Sequence, residues 1–375
     1  MADPRHELAA LETAGLLRHL RPLDSPAGPR VIREGRELWN FASNDYLGLA
    51  ADPEIAEALV LGAREFGAGS ASSRLVCGTL PPHRDLEEEL ATAKGTGAAL
   101  VFSSGFATAT GSLPALAGKK DFVVLDKLCH ASLIDGARLS GATLRVFPHN
   151  DVAKLGRLLE NIRAKHAKAR VIVVTESVFS MDGDLCPLRE IVGIKERHGA
   201  LLFLDEAHAF GVMGPAGMGL AAAQGLQQRV DFQMGTFSKA AGLSGGYLAT
   251  SAAWRDLLVN RARSFIYSTA PPPALARAAL AALARIRSDA GDRSRADLRT
   301  NIDAIAPGHP SPILPVIIGG NEAAVAASRE LESHGFMVPA IRYPTVPRGS
   351  ARLRISISAA HSLEAVTGLK AALKL

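Results

Sequence analysis

The chain has 375 residues, of which 47% are hydrophobic and 21% charged, and its formal net charge is +5. This length is too great for one small domain and suits a large and a smaller domain, and the composition excludes wholesale disorder. The densest basic stretches, 163–170 and 255–263, lack the aromatic or glycine-rich pattern of a nucleic-acid module. Solvated helix faces are the favoured interpretation of both stretches. The alternative is that one of them docks an acidic carrier protein.

The cysteines and the apolar runs indicate the compartment. Cys77, Cys129 and Cys186 form no CxxC pair, which favours a reducing compartment over a disulfide scaffold or a zinc ribbon. The first residues include acids and no long apolar core, so they do not resemble a signal peptide. No apolar run approaches the roughly 18 residues that a membrane span needs. We therefore expect a soluble, cytoplasmic protein that binds neither nucleic acid nor membrane and needs no metal.

The first part of the chain predicts a helix, an arm and then a sheet. An amphipathic helix is expected over residues 8–20, followed by a Pro-rich crossing and a short strand near 37–41. From about 45 to 260, short apolar runs alternate with helical stretches, and runs without polar alternation are typical of strands covered on both faces. This pattern predicts a mostly parallel α/β sheet, with strands at 99–102, 122–125, 171–174, 201–204 and 247–249.

The pattern changes after about residue 262. Prolines at 271–273 precede a long Ala/Arg helix, and strand candidates follow at 313–318, 336–341 and 353–358. The last candidate alternates strictly, which predicts a half-exposed antiparallel strand. We therefore predict an N-terminal helix and arm (1–45), a large domain (46–262) and a small C-terminal α+β domain (263–375).

Polar residues follow several of the predicted strands, where the sites of open α/β sheets are found. Asp126, Thr175-Glu176 and Asp205 all occupy such positions. A buried aspartate is costly unless it meets a cation, and a protonated pyridine nitrogen is such a cation. His208 lies three residues after Asp205 and can face the same ligand. The sequence DEAH also occurs in helicases, but those need an upstream GxxxxGK[ST] phosphate loop, which this chain lacks.

Lys239 lies among small residues, in TFSKAAGLSGG. In a partly desolvated pocket near another cation, the pKa of a lysine amine falls and the amine can form an imine. A surface lysine beside a flexible loop is an equally good interpretation of this segment alone.

Two more segments follow predicted strands. Gly105 opens a helix after 99–102, and the backbone N–H groups at such a helix N-terminus form a phosphate site. His130 follows 122–125, and its imidazole could lie flat on an aromatic cofactor, although a lone loop histidine is more often structural. Cys129 beside it is better interpreted as a small buried apolar residue. A lysine, a carboxylate, a phosphate cradle and an imidazole are together what pyridoxal phosphate requires.

A series of motifs along nearly the whole chain resembles the α-oxoamine synthase family of fold-type-I pyridoxal-phosphate enzymes. The motifs are NFASNDYLGLA from Asn40, GAGSASSRLVCGT from Gly67, SGFATA from Ser104, DKLCHASL from Asp126, FPHND from Phe147, TESVFSMDGD from Thr175, LDEAHAFGVMG from Leu204, TFSKAAGLSGG from Thr236, IYSTAPPP from Ile266 and AIRYPTVPRGSARLRISISAAH from Ala340.

The resemblance implies a transferase that condenses L-alanine with a pimeloyl thioester, carried on CoA or on an acyl-carrier protein, with loss of carbon dioxide. It also implies a place in biotin biosynthesis and a homodimer. The alternative within the family is an enzyme such as glycine C-acetyltransferase, which the PTVP segment disfavours. An aminotransferase or an inactive partner subunit is a more distant alternative. Tyr343 stands where proline is more usual, beside an expected substrate contact.

The resemblance also implies roles for the catalytic group, which is formed by Lys239, Asp205, His130 and His208. Lys239 would hold the cofactor as a Schiff base and later remove the α-proton, Asp205 would pair with the ring nitrogen, and His130 would stack on the ring. His208 and Ser180 would hydrogen-bond near the ring hydroxyl.

The remaining implied roles concern the phosphate and the substrates. The backbone amides of Gly105 and Phe106 and the hydroxyl of Thr236 would hold the phosphate, and Thr269 would reach the phosphate of the partner subunit. Substrate contacts are implied for three residues: Arg354, which would clamp the amino acid carboxylate, Thr345, and Arg18 in the N-terminal helix.

Overall fold

Two units make up the part of the chain that the computed structural model describes, residues 3–374. The larger unit contains Leu49–Ser180 and Asp184–Arg295. The smaller unit contains the chain up to Gly48, the short segment Met181–Gly183 and the chain from Ala296 onward. The sequence-based boundaries at 45 and 262 stay a prediction, and the observed units group residues 263–295 with the larger unit and the N-terminal arm with the smaller one.

The helices and strands are numbered in chain order. The helices are α1 (Pro4–Thr13), α2 (Pro53–Phe66), α3 (Pro81–Lys94), α4 (Gly105–Leu116), α5 (Ala131–Leu139), α6 (Val152–Lys165), α7 (Leu188–Arg197), α8 (Leu220–Ala223), α9 (Ala252–Arg261), α10 (Arg263–Ile266), α11 (Pro273–Arg287), α12 (Asp289–Ile305), α13 (Asn321–Ser333) and α14 (Leu363–Leu373). The strands are β1 (Arg30–Arg33), β2 (Arg36–Asn40), β3 (Ala98–Phe102), β4 (Phe122–Asp126), β5 (Thr143–Phe147), β6 (Val171–Glu176), β7 (Leu201–Asp205), β8 (Phe232–Thr236), β9 (Gly246–Thr250), β10 (Ile313–Gly319), β11 (Phe336–Met337), β12 (Ala340–Ile341) and β13 (Ala351–Ser356).

The larger unit is built on a seven-stranded sheet with the order β3-β9-β8-β7-β6-β4-β5. Pairing is parallel from β8 through β7, β6 and β4 to β5, and only β9 runs against its two neighbours, β3 and β8. The predicted mostly parallel sheet is therefore confirmed. All five predicted runs are strands of this sheet, and β5 and β8 are strands that the sequence analysis did not predict.

Burial on both faces explains the apolar runs. Every residue of β3, β4, β6, β8 and β9 is buried, so neither face of these strands calls for polar side chains. Alternate strand residues share one core with α4 and α5, and a fully buried apolar side chain contributes roughly 1.5–3 kcal/mol. Members of this core are Leu100, Phe102, Leu113, Val123, Leu125, Leu133, Ile172 and Val174. The packed core holds the strand ends in fixed positions.

Two three-stranded sheets form the β structure of the smaller unit, in the orders β1-β2-β11 and β10-β13-β12. The predicted strand at 336–341 is divided between them, as β11 and β12. The predicted half-exposed strand at 353–358 is wrong in its exposure, because β13 lies between two antiparallel neighbours and is buried along its length. Hydrogen bonds satisfy its arginines: Arg352 donates to Asp182 at 2.6 Å, and Arg354 donates to Asn44 at 3.0 Å.

The N-terminal helix is shorter than predicted. It ends at Thr13 rather than at residue 20, and Gly15 beyond its end has a φ of +63°, a backbone conformation that is typical just past a helix C-terminus. Arg18 therefore lies in irregular chain and not in a helix. Among residues 3–374, every helix is too short or too polar to cross a membrane. The cytoplasmic location stays a prediction.

Candidate active site

A cavity of about 290 Å³ lies in the larger unit, at the edge of the sheet where the parallel strands end. Glu176, Asp205 and Thr236, the last residues of β6, β7 and β8, all line it. The cavity also receives the first turn of α4, which follows β3, and His130, which precedes α5. Its volume is at the small end of the range for pockets that hold small ligands and cofactors.

Asp205 and Lys239 form the charged part of this cavity. Asp205 is 5% exposed, and its Oδ1 accepts a hydrogen bond from the backbone N–H of Ala207 at 2.9 Å. Burial raises the pKa of Asp205, and the nearby Lys239 ammonium opposes this change. Lys239 also acts electrostatically on His130 and Glu176, so its charge lies among all three groups. Of the two interpretations of Lys239, the structure favours the pocket lysine over the surface lysine.

The first turn of α4 is shaped for an anion. Ser104 caps this helix by accepting a hydrogen bond from the Ala107 N–H at 3.0 Å, and the residues that bear the first two amides, Gly105 and Phe106, line the cavity. A Cβ atom at Gly246 would lie 2.6 Å from the Gly105 nitrogen, so only glycine lets β9 pass this close to the start of α4. Backbone N–H groups at a helix N-terminus favour a phosphate.

Two hydroxyls complete this side of the cavity. Thr236 donates from Oγ1 to the Gly245 carbonyl at 2.6 Å and accepts the Ser238 N–H at 3.1 Å. The hydroxyls of Thr236 and Ser238 lie 2.8 Å apart. Because the Thr236 proton is directed at the Gly245 carbonyl, the Ser238 hydroxyl is the donor within this pair, and either hydroxyl donates to an anion only by turning its proton away from its present acceptor. The sequence analysis did not select Ser238, although it lies next to Lys239.

His130 faces the cavity from the start of α5. Its Nδ1 lies 2.8 Å from the Ser132 hydroxyl and accepts the Ser132 N–H at 3.3 Å, which favours the tautomer with the proton on Nε2. Partial desolvation lowers the pKa of the imidazole, and the Lys239 ammonium lowers it further. The Asp205 carboxylate opposes both effects, and the net lowering of the pKa favours the neutral imidazole. The backbone N–H of His130 donates to the Glu176 carboxyl, the acidic cavity residue for which no role was predicted.

The other residues predicted to contact the cofactor are not all in this cavity. His208 is buried and lines it. Ser180 is also buried, in the loop after β6, but is not among the lining residues. Thr269 lies in a different small hollow, with Ser103 and Arg74, and forms a β-bridge with Ser73. Its predicted contact, with the phosphate of a partner subunit, stays a prediction.

The three residues predicted to contact the substrates belong to the smaller unit. Arg18 donates from Nη2 to the Thr345 hydroxyl at 3.4 Å, and both line a hollow of about 850 Å³. Arg354 lies elsewhere in this unit, 5% exposed on β13, where it donates to Asn44 and to Ser356 at 2.8 Å. The structure therefore brings two of the three together.

Comparison with known proteins identifies a family and several named relatives. Residues 36–373 match the family described as aminotransferase class I and II. Two relatives, both named 8-amino-7-oxononanoate synthase, come from Anaeromyxobacter dehalogenans strain 2CP-1 (48% identity) and Burkholderia cenocepacia strain HI2424 (45% identity). Each alignment covers 98% of this chain and 93% of the relative.

Two solved structures are similar in fold. The serine palmitoyltransferase of S. paucimobilis with a bound PLP–myriocin aldimine gives a TM-score of 0.93 at 29% identity, covering 99% of this chain and 96% of that one. The 8-amino-7-oxononanoate synthase of Francisella tularensis gives a TM-score of 0.76 at 28% identity, covering 90% of this chain and 97% of that one.

Proposed function

The chain belongs to the class I and II aminotransferase family and has the fold of fold-type-I pyridoxal-phosphate transferases, and on this premise we propose that it condenses L-alanine with a pimeloyl thioester. The products would be 8-amino-7-oxononanoate, carbon dioxide and the free thiol, in biotin biosynthesis. The observation that carries the proposal is 45–50% identity over nearly the full length to proteins named 8-amino-7-oxononanoate synthase. The thioester is that of CoA or of an acyl-carrier protein.

The residues of the cavity fit pyridoxal phosphate, which is the cofactor of this enzyme family. Asp205 is a buried carboxylate that needs a cationic partner. Gly105 and Phe106, the first residues of α4, line the cavity, and the N–H groups of a helix N-terminus favour a phosphate. When bound, the cofactor supplies an aldehyde that condenses with amines and a ring that takes up an electron pair. The protein supplies binding, orientation and proton transfer.

Five side chains would carry out or support the chemistry. The Lys239 amine would hold the cofactor and would later serve as the base for the α-proton of alanine. Asp205 keeps the proton on the ring nitrogen, which stabilises negative charge at the α-carbon. His130 covers the ring as a neutral imidazole, so it adds no charge that competes with the ring nitrogen for Asp205. His208, with Ser180, orients the ring hydroxyl.

Binding roles are proposed for the remaining residues. The amides of Gly105 and Phe106 hold the phosphate together with the Thr236 hydroxyl, and Thr269 reaches the phosphate site of a partner subunit. Substrates would be bound by Arg354, which takes the alanine carboxylate through its guanidinium, and by Thr345 and Arg18.

A homodimer is part of the proposal. Leu59, Val60 and Leu61 of α2 are 39–42% exposed around the helix, and a partner subunit would cover part of this apolar area. Sedimentation of the purified protein would test this. A monomer at micromolar concentration would contradict it.

Product identification by mass spectrometry tests the reaction. L-alanine and glycine are each offered with pimeloyl-CoA, pimeloyl-carrier protein and acetyl-CoA. We expect 8-amino-7-oxononanoate from alanine with a pimeloyl donor. The PTVP segment at 344–347 argues against glycine and acetyl-CoA. Turnover of that pair instead would replace the proposal by a glycine C-acetyltransferase.

A further inference from the structure

Glu176 is a second acid in the cofactor cavity, and the chemistry above gives it no task. It is the last residue of β6, 2% exposed, and it lines the cavity. In the parallel pairing of β6 with β7, Glu176 is the register partner of Asp205. Two carboxyl groups therefore end neighbouring strands at the point where the cofactor ring nitrogen needs one.

The charges around Glu176 disfavour its ionised form. Burial and the neighbouring carboxylates of Asp205 and Asp126 raise its pKa, against the Lys239 ammonium and the N–H of His130, which lower it; the result is a pKa of about 8, compared with the ordinary 4.5. Asp126 is already engaged, because it accepts hydrogen bonds from Leu128 and Asn150. Two like charges in one buried site cannot both ionise at low cost.

The Glu176 carboxyl has a definite contact. It accepts a hydrogen bond from the backbone N–H of His130, the residue whose side chain caps α5 by accepting the Ser132 N–H. The backbone N–H of His130, at the start of α5, has no acceptor within that helix, as is usual at a helix N-terminus. A carboxyl oxygen accepts such a bond whether or not the group is ionised.

We propose that Glu176 is a positioning residue of the cofactor cavity that works as a neutral acid: one oxygen fixes the backbone of His130, and the retained proton leaves Asp205 as the carboxylate that serves the ring nitrogen. This inference rests on the proposed function for the identity of the ring. It assigns different tasks to two neighbouring acids of the same cavity. An ionised Glu176 would instead compete with Asp205 for the cationic ring.

Two substitutions separate the proton from the hydrogen bond. Glu176→Gln keeps an oxygen acceptor and is permanently neutral, whereas Glu176→Met keeps the length of the side chain and removes the acceptor. Glu88→Gln, on the exposed surface of α3, is the control for losing one acidic group. Each variant is studied without and with bound pyridoxal phosphate.

The first measurement is thermal unfolding of the cofactor-free proteins across pH. A carboxyl whose pKa is raised by folding stabilises the protein below its unfolded-state pKa, and this contribution is lost as pH rises to the folded-state value. The difference in Tm between Glu176→Gln and wild type should therefore change in favour of the variant from about pH 5 to pH 8. Above pH 8 this difference should stay constant. Glu88→Gln should follow wild type. Parallel curves for Glu176→Gln and wild type would overturn the proposal.

The second measurement is the visible circular dichroism and the dissociation constant of the bound cofactor, with kcat and KM. Glu176→Gln should keep the dichroic band and change the cofactor Kd and kcat by less than about threefold at pH 7, because it reproduces the neutral acid. Glu176→Met should weaken the band and raise the cofactor Kd roughly tenfold, since the His130 amide loses its acceptor. Failure of the Gln variant to fold or to bind cofactor would overturn the neutral-acid role.

These results are independent of the condensation reaction. If the Tm and dichroism behave as expected but no 8-amino-7-oxononanoate forms, the role of Glu176 stands and the proposed function fails. If the product forms and the Gln and Met variants behave alike, the function stands and the role of Glu176 fails.

Discussion

The two ends of the large sheet differ in how they hold charge. The carboxyl ends of β6, β7 and β8 enclose Glu176 and Asp205, both buried, with Lys239 among them. The amino ends of β4 and β5 open on a hollow of about 700 Å³ lined by three exposed lysines, Lys119, Lys120 and Lys168.

The number of charged groups and the burial of those groups differ in opposite ways between the two ends of the sheet. The exposed end carries more cations, but these lysine side chains are exposed to solvent, which screens their charges. The buried end carries fewer, and each must be matched by a neighbour. The candidate site therefore lies where charge is buried and not where it is abundant. The stretch 163–170, which the sequence marks by its basic residues, belongs to the exposed end.

Replacement of Lys239 tests the buried end most severely. Lys239→Ala removes both the proposed attachment point of the cofactor and the proposed base, so kcat should fall at least roughly 10³-fold. The absorbance of the protein-bound cofactor should change with it. Lys168→Ala removes a lysine from the exposed end and is the matched control, which should turn over as wild type does. Normal turnover by Lys239→Ala would make the assignment wrong.

The ion pair behind the site provides a second test. Lys94 and Glu206 are both fully buried, and the Lys94 ammonium also donates to the Met218 carbonyl at 2.7 Å. Lys94→Met leaves the buried carboxylate of Glu206, the residue after Asp205, without its cation. This should reduce the free energy of unfolding by about 3–5 kcal/mol.

Urea unfolding measures this effect, with Arg277→Met as the control because its pair with Glu65 is exposed and should contribute about 1 kcal/mol or less. The double variant Lys94→Met/Glu206→Gln should recover part of the loss, since it removes the stranded charge. Equal losses in the free energy of unfolding for Lys94→Met and Arg277→Met would show that burial does not change what an ion pair contributes.

The charge on His149 predicts how the stability of the protein depends on pH. Burial alone would lower its pKa, but hydrogen bonds to Asp126 at 3.0 Å and Asp184 at 2.8 Å raise the pKa to about 10. Because folding raises this pKa above 6.5, the imidazolium stabilises the protein fully below that value, and the contribution is lost as pH rises from about 6.5 to 10. His149→Gln should therefore be most destabilising at pH 6 and approach wild type near pH 10. A destabilisation that does not vary with pH would contradict the charge on His149.

The smallest effect is expected at the exposed end. The triple change Lys119→Glu, Lys120→Glu and Lys168→Glu should leave kcat/KM within about twofold for CoA and carrier-protein donors alike, because β4 separates this hollow from the site by roughly 16 Å. A higher KM for the carrier-bound donor alone would show that this hollow, which includes Lys168 of the basic stretch 163–170, docks the carrier.

Much of the candidate site could be proposed from the sequence because its features are local. The apolar runs before Asp126, Glu176 and Asp205 predict covered strands with polar ends, and the parallel ends of such strands meet at one edge. The same reasoning failed at β13, whose alternating pattern predicted half exposure. Alternation there reflects Arg352 and Arg354, which are buried with hydrogen-bond partners, and the partner of Arg354, Asn44, is far away in the chain.

The sequence by itself determined the candidate reactive groups, most of the strands that carry them and the family to which the chain belongs, because those features depend on residue type and short-range periodicity. The tertiary structure decided which groups share an environment. Glu176 lies beside Asp205 only through the pairing of β6 with β7, and Lys94 meets Glu206 across 112 residues of chain. Burial and proximity set the charge state of such groups, and both arise from contacts between segments whose separation in the chain hides them from any local pattern.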